Sequence, residues 1–250
     1  MSVIDYRIIF NSDITFDIVT IKEISSTRLI DPVLEKLCRK RWREILNDAK
    51  NQRKKIWDSD VYRFESAIWK DNILQLNVST IPFSIRLSMN NFTDTVNMLG
   101  MKYAPLGMYT SCFVVTADGQ YLFIEKSNSY YSNRKMAFIG GILSKTESIL
   151  QNGSDLFNEA IREIQEELDL YSIGVQTNIL KAGYITENYN VCLLFEVKLN
   201  ISLKDIQKNF KASCEKETAN IVDVARADLS QFALMLPERD MPKFKIAGYI

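Results

Sequence analysis

Apolar positions change period along the chain, and each change marks a different kind of element. In "DPVLEKLCRKRWREILNDAKNQRKK", Leu34, Leu37, Cys38, Trp42, Ile45, Leu46 and Ala49 recur at helical spacing, and Asp31-Pro32 offers an N-cap followed by proline at the first helical position. The next stretch, "VYRFESAIWKDNILQLNVST", alternates and is rich in β-branched and aromatic residues, which predicts a hairpin turning at Lys70-Asp71-Asn72. From about Tyr103 the pattern becomes α/β. "MYTSCFVVTADGQYLFIEKS" reads as two strands joined at Asp118-Gly119, a strong hairpin signal. "AFIGG" follows, then a helix in "NEAIREIQEELDLYSIG", then strands in "GVQTNILKAGYI" and "NVCLLFEVKLN". A short helix near "SLKDIQKNF", a strand at "ANIVDV" and helical segments from Asp228 onward complete the pattern. It predicts a mixed sheet covered by helices over 103–250, preceded by a smaller α+β domain over 1–102 that packs against it.

Composition narrows the chemistry. The 250 residues are 46% hydrophobic and 25% charged with a formal net charge of zero, so bulk electrostatics favours neither nucleic acid nor a membrane surface. No apolar run approaches the roughly 18 residues of a membrane span, and the N-terminus has no leader pattern, so a soluble, cytoplasmic protein is expected. The helix over 32–55 carries Lys36, Arg39, Lys40, Arg41, Arg43, Lys50, Arg53, Lys54 and Lys55, which suits a solvated face or a phosphate- or RNA-facing patch. Cys38, Cys112, Cys192 and Cys214 are far apart and form no CxxC pair, so buried free thiols are expected. Histidine is absent, which removes Ser/His and Cys/His nucleophilic catalysis and HExxH zinc chemistry. Any catalysis must use carboxylates, Lys, Tyr or a hard metal.

The helix in "NEAIREIQEELDL" poses the sharpest question. At about 100° per residue, Phe157, Ala160, Ile161, Ile164 and Leu168 share one face, while Glu159, Glu163, Glu166 and Glu167 form an adjoining stripe. Like charges three or four residues apart repel by about 0.2–0.5 kcal/mol per pair, so something must offset the crowding. Clustered carboxylates without His or Cys suit Mg²⁺ or Mn²⁺, which take oxygen ligands and bridge to substrate phosphates.

The run "REIQEELDL", Arg162 to Leu170, following "AFIGG", resembles the second half of the Nudix box, G(X)5E(X)7REUXEEXGU with U a bulky aliphatic residue. The resemblance covers about Tyr103 to Ile250. It implies a Nudix-type α/β/α sandwich with a mixed sheet, and a metal-dependent pyrophosphohydrolase acting on nucleoside diphosphate derivatives. Counted back from the arginine, the family's first glutamate falls on Ser154, and Asp169 stands where the box has a late glycine. "ILSKTESILQN" inserts several residues before the helix, so Arg162 is expected to turn to Asp155 or to backbone carbonyls. Asp169 can adopt the left-handed conformation that glycine would supply.

The resemblance further implies Glu163 and Glu167 as metal ligands, Glu166 as a further ligand or water-orienting base, and the Gly140 carbonyl completing the site. Arg162 serves as the structural partner within that catalytic set, and Glu159 is a bystander. Glu187 and Glu217, in loops near the cleft, are surface acids or alternatives for the general base. A second resemblance, in "RWREILNDAKNQRKKIWDSDVYRFESAIWKDNILQLNVST", "YAPLGMYTSCFVVTADGQYLFIEKS" and "KFKIAGYI", is to the Nudix subfamily that cleaves UDP-glucose and UDP-galactose to UMP and a sugar 1-phosphate. It makes Tyr62, Arg63, Phe64, Arg86 and Asn90 candidate nucleotide contacts, with Arg134 and Lys135 facing phosphate; packing or surface roles remain open for each. The alternatives are an mRNA-decapping or ADP-ribose Nudix hydrolase, and a non-catalytic Nudix-fold module binding a nucleotide or a protein.

Overall fold

A computed structural model describes residues 6–27, 30–52, 56–126, 136–147, 149–210 and 218–250. Ten strands and seven helices appear among them, in short runs of each kind. The first third holds β1 (Arg7–Ile14), β2 (Val19–Glu23), α1 (Pro32–Asn51), β3 (Asp60–Lys70), β4 (Ile73–Pro82), α2 (Phe83–Met89) and α3 (Thr93–Leu99). Then come β5 (Met108–Val115), β6 (Gln120–Lys126), β7 (Met136–Ala137), α4 (Gly153–Leu168), β8 (Val175–Ile185) and β9 (Val191–Leu199). The chain closes with α5 (Leu203–Asn209), β10 (Thr218–Ala225), α6 (Leu229–Ala233) and α7 (Met241–Ile246).

The local signals act as their chemistry dictates. Asp31 caps α1 through its carboxylate, which accepts from the N–H groups of Val33 and Leu34 at 2.9 and 3.0 Å. Asp71 and Asn72 both take positive φ, 51° and 61°, the geometry that lets a two-residue turn join the twisted strands β3 and β4. Asp169 ends α4 in the left-handed conformation, φ 58° and ψ 42°. Cys38, Cys112 and Cys192 are buried free thiols, and Cys214 lies outside the described residues.

The large sheet runs β1-β8-β9-β5-β6-β10, with β7 beside β6. It is mixed because β5 and β9 run parallel while their other pairings are antiparallel. Alternation along the strands divides its faces. Val114, Leu122 and Phe195 face α4, whereas Phe113, Phe123 and Leu194 pack under α6 and α7 with Phe232 and Phe244. Helices therefore cover both faces, the α/β/α layering expected. A small sheet, β2-β4-β3, stands beside it. Val61, Leu74 and Leu76 of this sheet share one apolar cluster with Cys112, Val114 and Leu193 of the large one. No helix among the described residues is long and apolar enough to cross a membrane.

Backbone hydrogen bonds stitch the two sheets together. Tyr62 N–H donates to the Leu143 carbonyl at 2.8 Å, Phe64 N–H to Leu106 at 2.9 Å, and Lys145 N–H to Asp60 at 2.9 Å. Tyr62 is wholly buried, and its hydroxyl accepts from Leu150 N–H at 2.9 Å. Strand β3 thereby fixes the loop between "AFIGG" and α4. Replacing Tyr62 by Phe strands a buried donor, and should destabilise the protein by about 1–3 kcal/mol in urea unfolding.

Candidate functional site

Helix α4 begins at a capping box: Asn152 accepts from Asp155 N–H at 3.1 Å, and the Asp155 carboxylate accepts from Asn152 N–H at 3.1 Å and Gln151 N–H at 2.8 Å. Asp155 is thus committed to the helix start and does not serve Arg162, contrary to expectation. The cap sets the phase that places Leu156, Phe157, Ala160, Ile164 and Leu168 in the core, and with them the glutamates along its border.

Arg162 is what offsets the repulsion. Its guanidinium reaches Glu163 at 2.5 Å, Glu166 at 2.7 Å, Glu159 at 3.0 Å and Glu147 at 3.4 Å. Glu159, expected to be a bystander, is only 5% exposed and joins this cluster. Glu147 was missed, although a signal existed. Counting forward from Gly141, rather than back from Arg162, puts the first glutamate of the box on Glu147. The additional residues then lie between Glu147 and the helix, and Ser154 is merely an exposed residue in the first turn of α4. Glu167, 8% exposed, sits 3.6 Å from the Lys126 ammonium.

The glycine pair before the loop has a steric reason. Gly140 takes φ +145°, and a Cβ on it would overlap the Thr110 carbonyl. A Cβ on Gly141 would overlap the carboxylate of Glu163. Gly141 is also pinned to β5, its carbonyl accepting from Thr110 N–H at 2.8 Å. Burial pushes the Glu163 carboxyl up to about 7; Arg162 pulls it down, while Glu166, Glu167 and Glu159 push it further up.

Gly140, Gly141, Glu147, Arg162, Glu163, Glu166, Glu167 and Lys126 line one end of a cavity of about 440 Å³, a volume suited to a nucleotide-sized ligand; Glu159 lies behind it. Its other walls combine Tyr6, Trp57, Phe83, Arg86 and Asn90 from the first third of the chain with Glu187, Asn188 and Asn190 from the β8–β9 turn. Trp57 stacks on Phe83 with ring centroids 4.4 Å apart. A buried ion pair, Lys243 to Asp240 at 2.9 Å, forms part of the lining, with the ammonium 4.2 Å from the Phe138 ring centroid. Arg86 is 7% exposed, and burial brings its guanidinium down to about 10.

Of the sequence candidates, the structure gathers Gly140, Arg162, Glu163, Glu166, Glu167, Arg86, Asn90 and Glu187 around this cavity. Tyr62, Arg63 and Phe64 do not line it. They are buried along the seam, where Arg63 donates to the Ala104 carbonyl at 3.0 Å. Arg134, Lys135 and Glu217 lie outside the described residues. Lys126, Lys243 and Asp240 carried no local signal.

The carboxylates fit a hard cation in donor type: all are oxygen ligands, and five acids face the two cations Arg162 and Lys126. Among the described residues, no three acidic or thiol groups converge around a common point; the carboxylates gather on Arg162 instead.

No family model and no curated protein matches the chain. Among solved structures it is similar to Tm1382, a candidate Nudix hydrolase, with 11% identity and TM-score 0.41 over 58% of this chain and 72% of that one. It is also similar to the M. Smegmatis Nudix hydrolase RenU, with 12% identity and TM-score 0.32 over 50% and 74%. The MutT protein of Methanosarcina mazei Go1 gives 13% identity and TM-score 0.34 over 56% and 90%. Likeness of this degree shows no activity, and the functional reading rests on this chain's own residues.

Glu163 also sets a pH dependence. Its folded pKa of about 7 lies above the ordinary 4.5, so the metal-free fold binds the extra proton and loses stability as pH rises through that interval, with no further loss above it. Glu163→Gln should abolish that loss: thermal melts at pH 5 and pH 8 should differ less in the variant than in the wild type.

Proposed function

We propose that the protein is a Nudix-type, divalent-metal-dependent pyrophosphohydrolase of nucleoside diphosphate derivatives, with UDP-sugars, cleaved to UMP and a sugar 1-phosphate, as substrates. The observation that carries the reading is the Arg162–Glu147 pair beside Glu163 packed on Gly141. It brings the first glutamate, the glycine and the Arg-Glu-x-x-Glu-Glu core of the box to one end of a nucleotide-sized cavity. This geometry supports the resemblance at the loop where the sequence departs from the box.

Glu163, Glu167 and Glu166, with the Gly140 carbonyl, would hold Mg²⁺ or Mn²⁺. A bound metal supplies neutralisation of the pyrophosphate and a lower pKa for the attacking water. The chain's own contributions are positional. Arg162 holds Glu163 and Glu166 in fixed rotamers through charge-assisted hydrogen bonds. Trp57, backed by Phe83, gives a flat apolar surface for a base. Glu187, exposed at the rim, is positioned to take a proton from water entering the cavity. On this reading residues 1–102 form a companion unit whose task is to complete the substrate cavity of residues 103–250.

One observation favours a second reading. Because the carboxylates converge on Arg162, a non-catalytic module that binds nucleotide without metal is also consistent with the geometry. A screen of UDP-sugars, ADP-ribose and capped RNA with Mg²⁺ and product identification separates the two, and names the bond cleaved. Glu167→Gln should lower the metal-dependent rate by about 10²–10³-fold. Nucleotide binding that ignores Mg²⁺, with no product from any compound, would establish the module instead.

A further inference from the structure

Five cations among the described residues line the cavity; Arg162 has its glutamates, Lys126 has Glu167, Lys243 has Asp240, and Arg239 is exposed to solvent. Arg86 differs. It is almost wholly buried, no carboxylate pairs with it among the described residues, and its Nε has no hydrogen-bond acceptor. An uncompensated buried cation is among the least favourable groups a fold can keep, which calls for an anion that arrives with a ligand.

Arg86 is also held in place. Its side chain lies against Gly107, where an added Cβ would stand 2.6 Å from Arg86 Cγ and Nε, so only glycine leaves room for it. Gly107 precedes β5, and Thr110, to which Gly141 and the carboxylate end are pinned, lies three residues further on. At the rise of an extended strand, the backbone positions against which Arg86 and the carboxylate cluster rest, Gly107 and Thr110, are about 10 Å apart. Arg162 and Lys126 at that end are engaged by glutamates, so a substrate group beyond the pyrophosphate has Arg86 as the buried cation open to it. A further acceptor, Asn190 Oδ1, is buried in the same cavity without a donor, while Asn190 Nδ2 donates to Asn90 at 3.2 Å. Hydroxyls borne beside the anion would satisfy it.

We propose, on the basis of the pyrophosphohydrolase reading, that Arg86 is a specificity-determining contact for a second anionic group of the substrate. That group is a carboxylate or phosphate set off from the scissile pyrophosphate, so the cavity selects anionic derivatives over their neutral counterparts.

The test uses two matched pairs, UDP-glucuronate with UDP-glucose and ADP-ribose 2′-phosphate with ADP-ribose. In each pair the members differ by one anionic group, a carboxylate in the first and a phosphate in the second. For wild type, the ratio of kcat/KM, anionic over neutral, should be about 10–100 in at least one pair, and the pair concerned tells which anion is read. In Arg86→Gln that ratio should fall to near one, and Arg86→Lys, which keeps the charge, should retain part of it. A wild-type ratio near one in both pairs, or a ratio that Arg86→Gln leaves unchanged, overturns the proposal. If Arg86→Gln does not fold, the wild-type ratios and the Lys variant decide. If none of the four compounds is turned over, the wider screen decides the hydrolase reading, and calorimetric binding of the same pairs decides this one by the same ratios.

Discussion

Everything at the site depends on one guanidinium surrounded by carboxylates. Arg162 turns a stripe of like charges, which should loosen a helix, into a braced cluster. It also ties the helix to the loop before it, because one of its partners, Glu147, belongs to that loop. The same contact fixes where the acidic end of the cavity begins. The cluster is costly to assemble and well satisfied only as a whole, as expected of a buried polar network.

Strand β3 carries the other half of the construction. Tyr62 and Phe64 donate their N–H groups into the chain around Leu106 and Leu143, and the Tyr62 hydroxyl receives Leu150. A loop that would otherwise hang from the glycine pair is thus held by backbone bonds from a second sheet. The cavity needs both sheets, since its aromatic wall comes from residues flanking β3 and β4 and its acids come from α4.

Features that depend on a few adjacent residues were legible in the sequence. Asp31 caps, Asp71-Asn72 turns, Asp169 goes left-handed, and Glu163, Glu166 and Glu167 share the cavity-facing edge of α4. Features that depend on distance along the chain were not. Strands β1 and β2 are mostly exposed, so their periodicity is weak. Tyr62, Arg63 and Phe64 have the composition of a ligand wall, but pairing with a distant loop buries them as scaffold. Glu147 was hidden by the direction of counting across an insertion. Lys243 and Asp240 meet the site only because the last helix folds back over the sheet.

The placement of β1 bears on how the chain can be divided. Its residues pair with β8 from Arg7↔Ile185 to Ile14↔Leu180, so the beginning of the chain forms an edge of the sheet built mostly from its end. A fragment cut at residue 102 would leave β8 with a bare row of N–H and C=O groups, an adhesive edge for other chains. Residues 7–14 are therefore also a guard against aggregation.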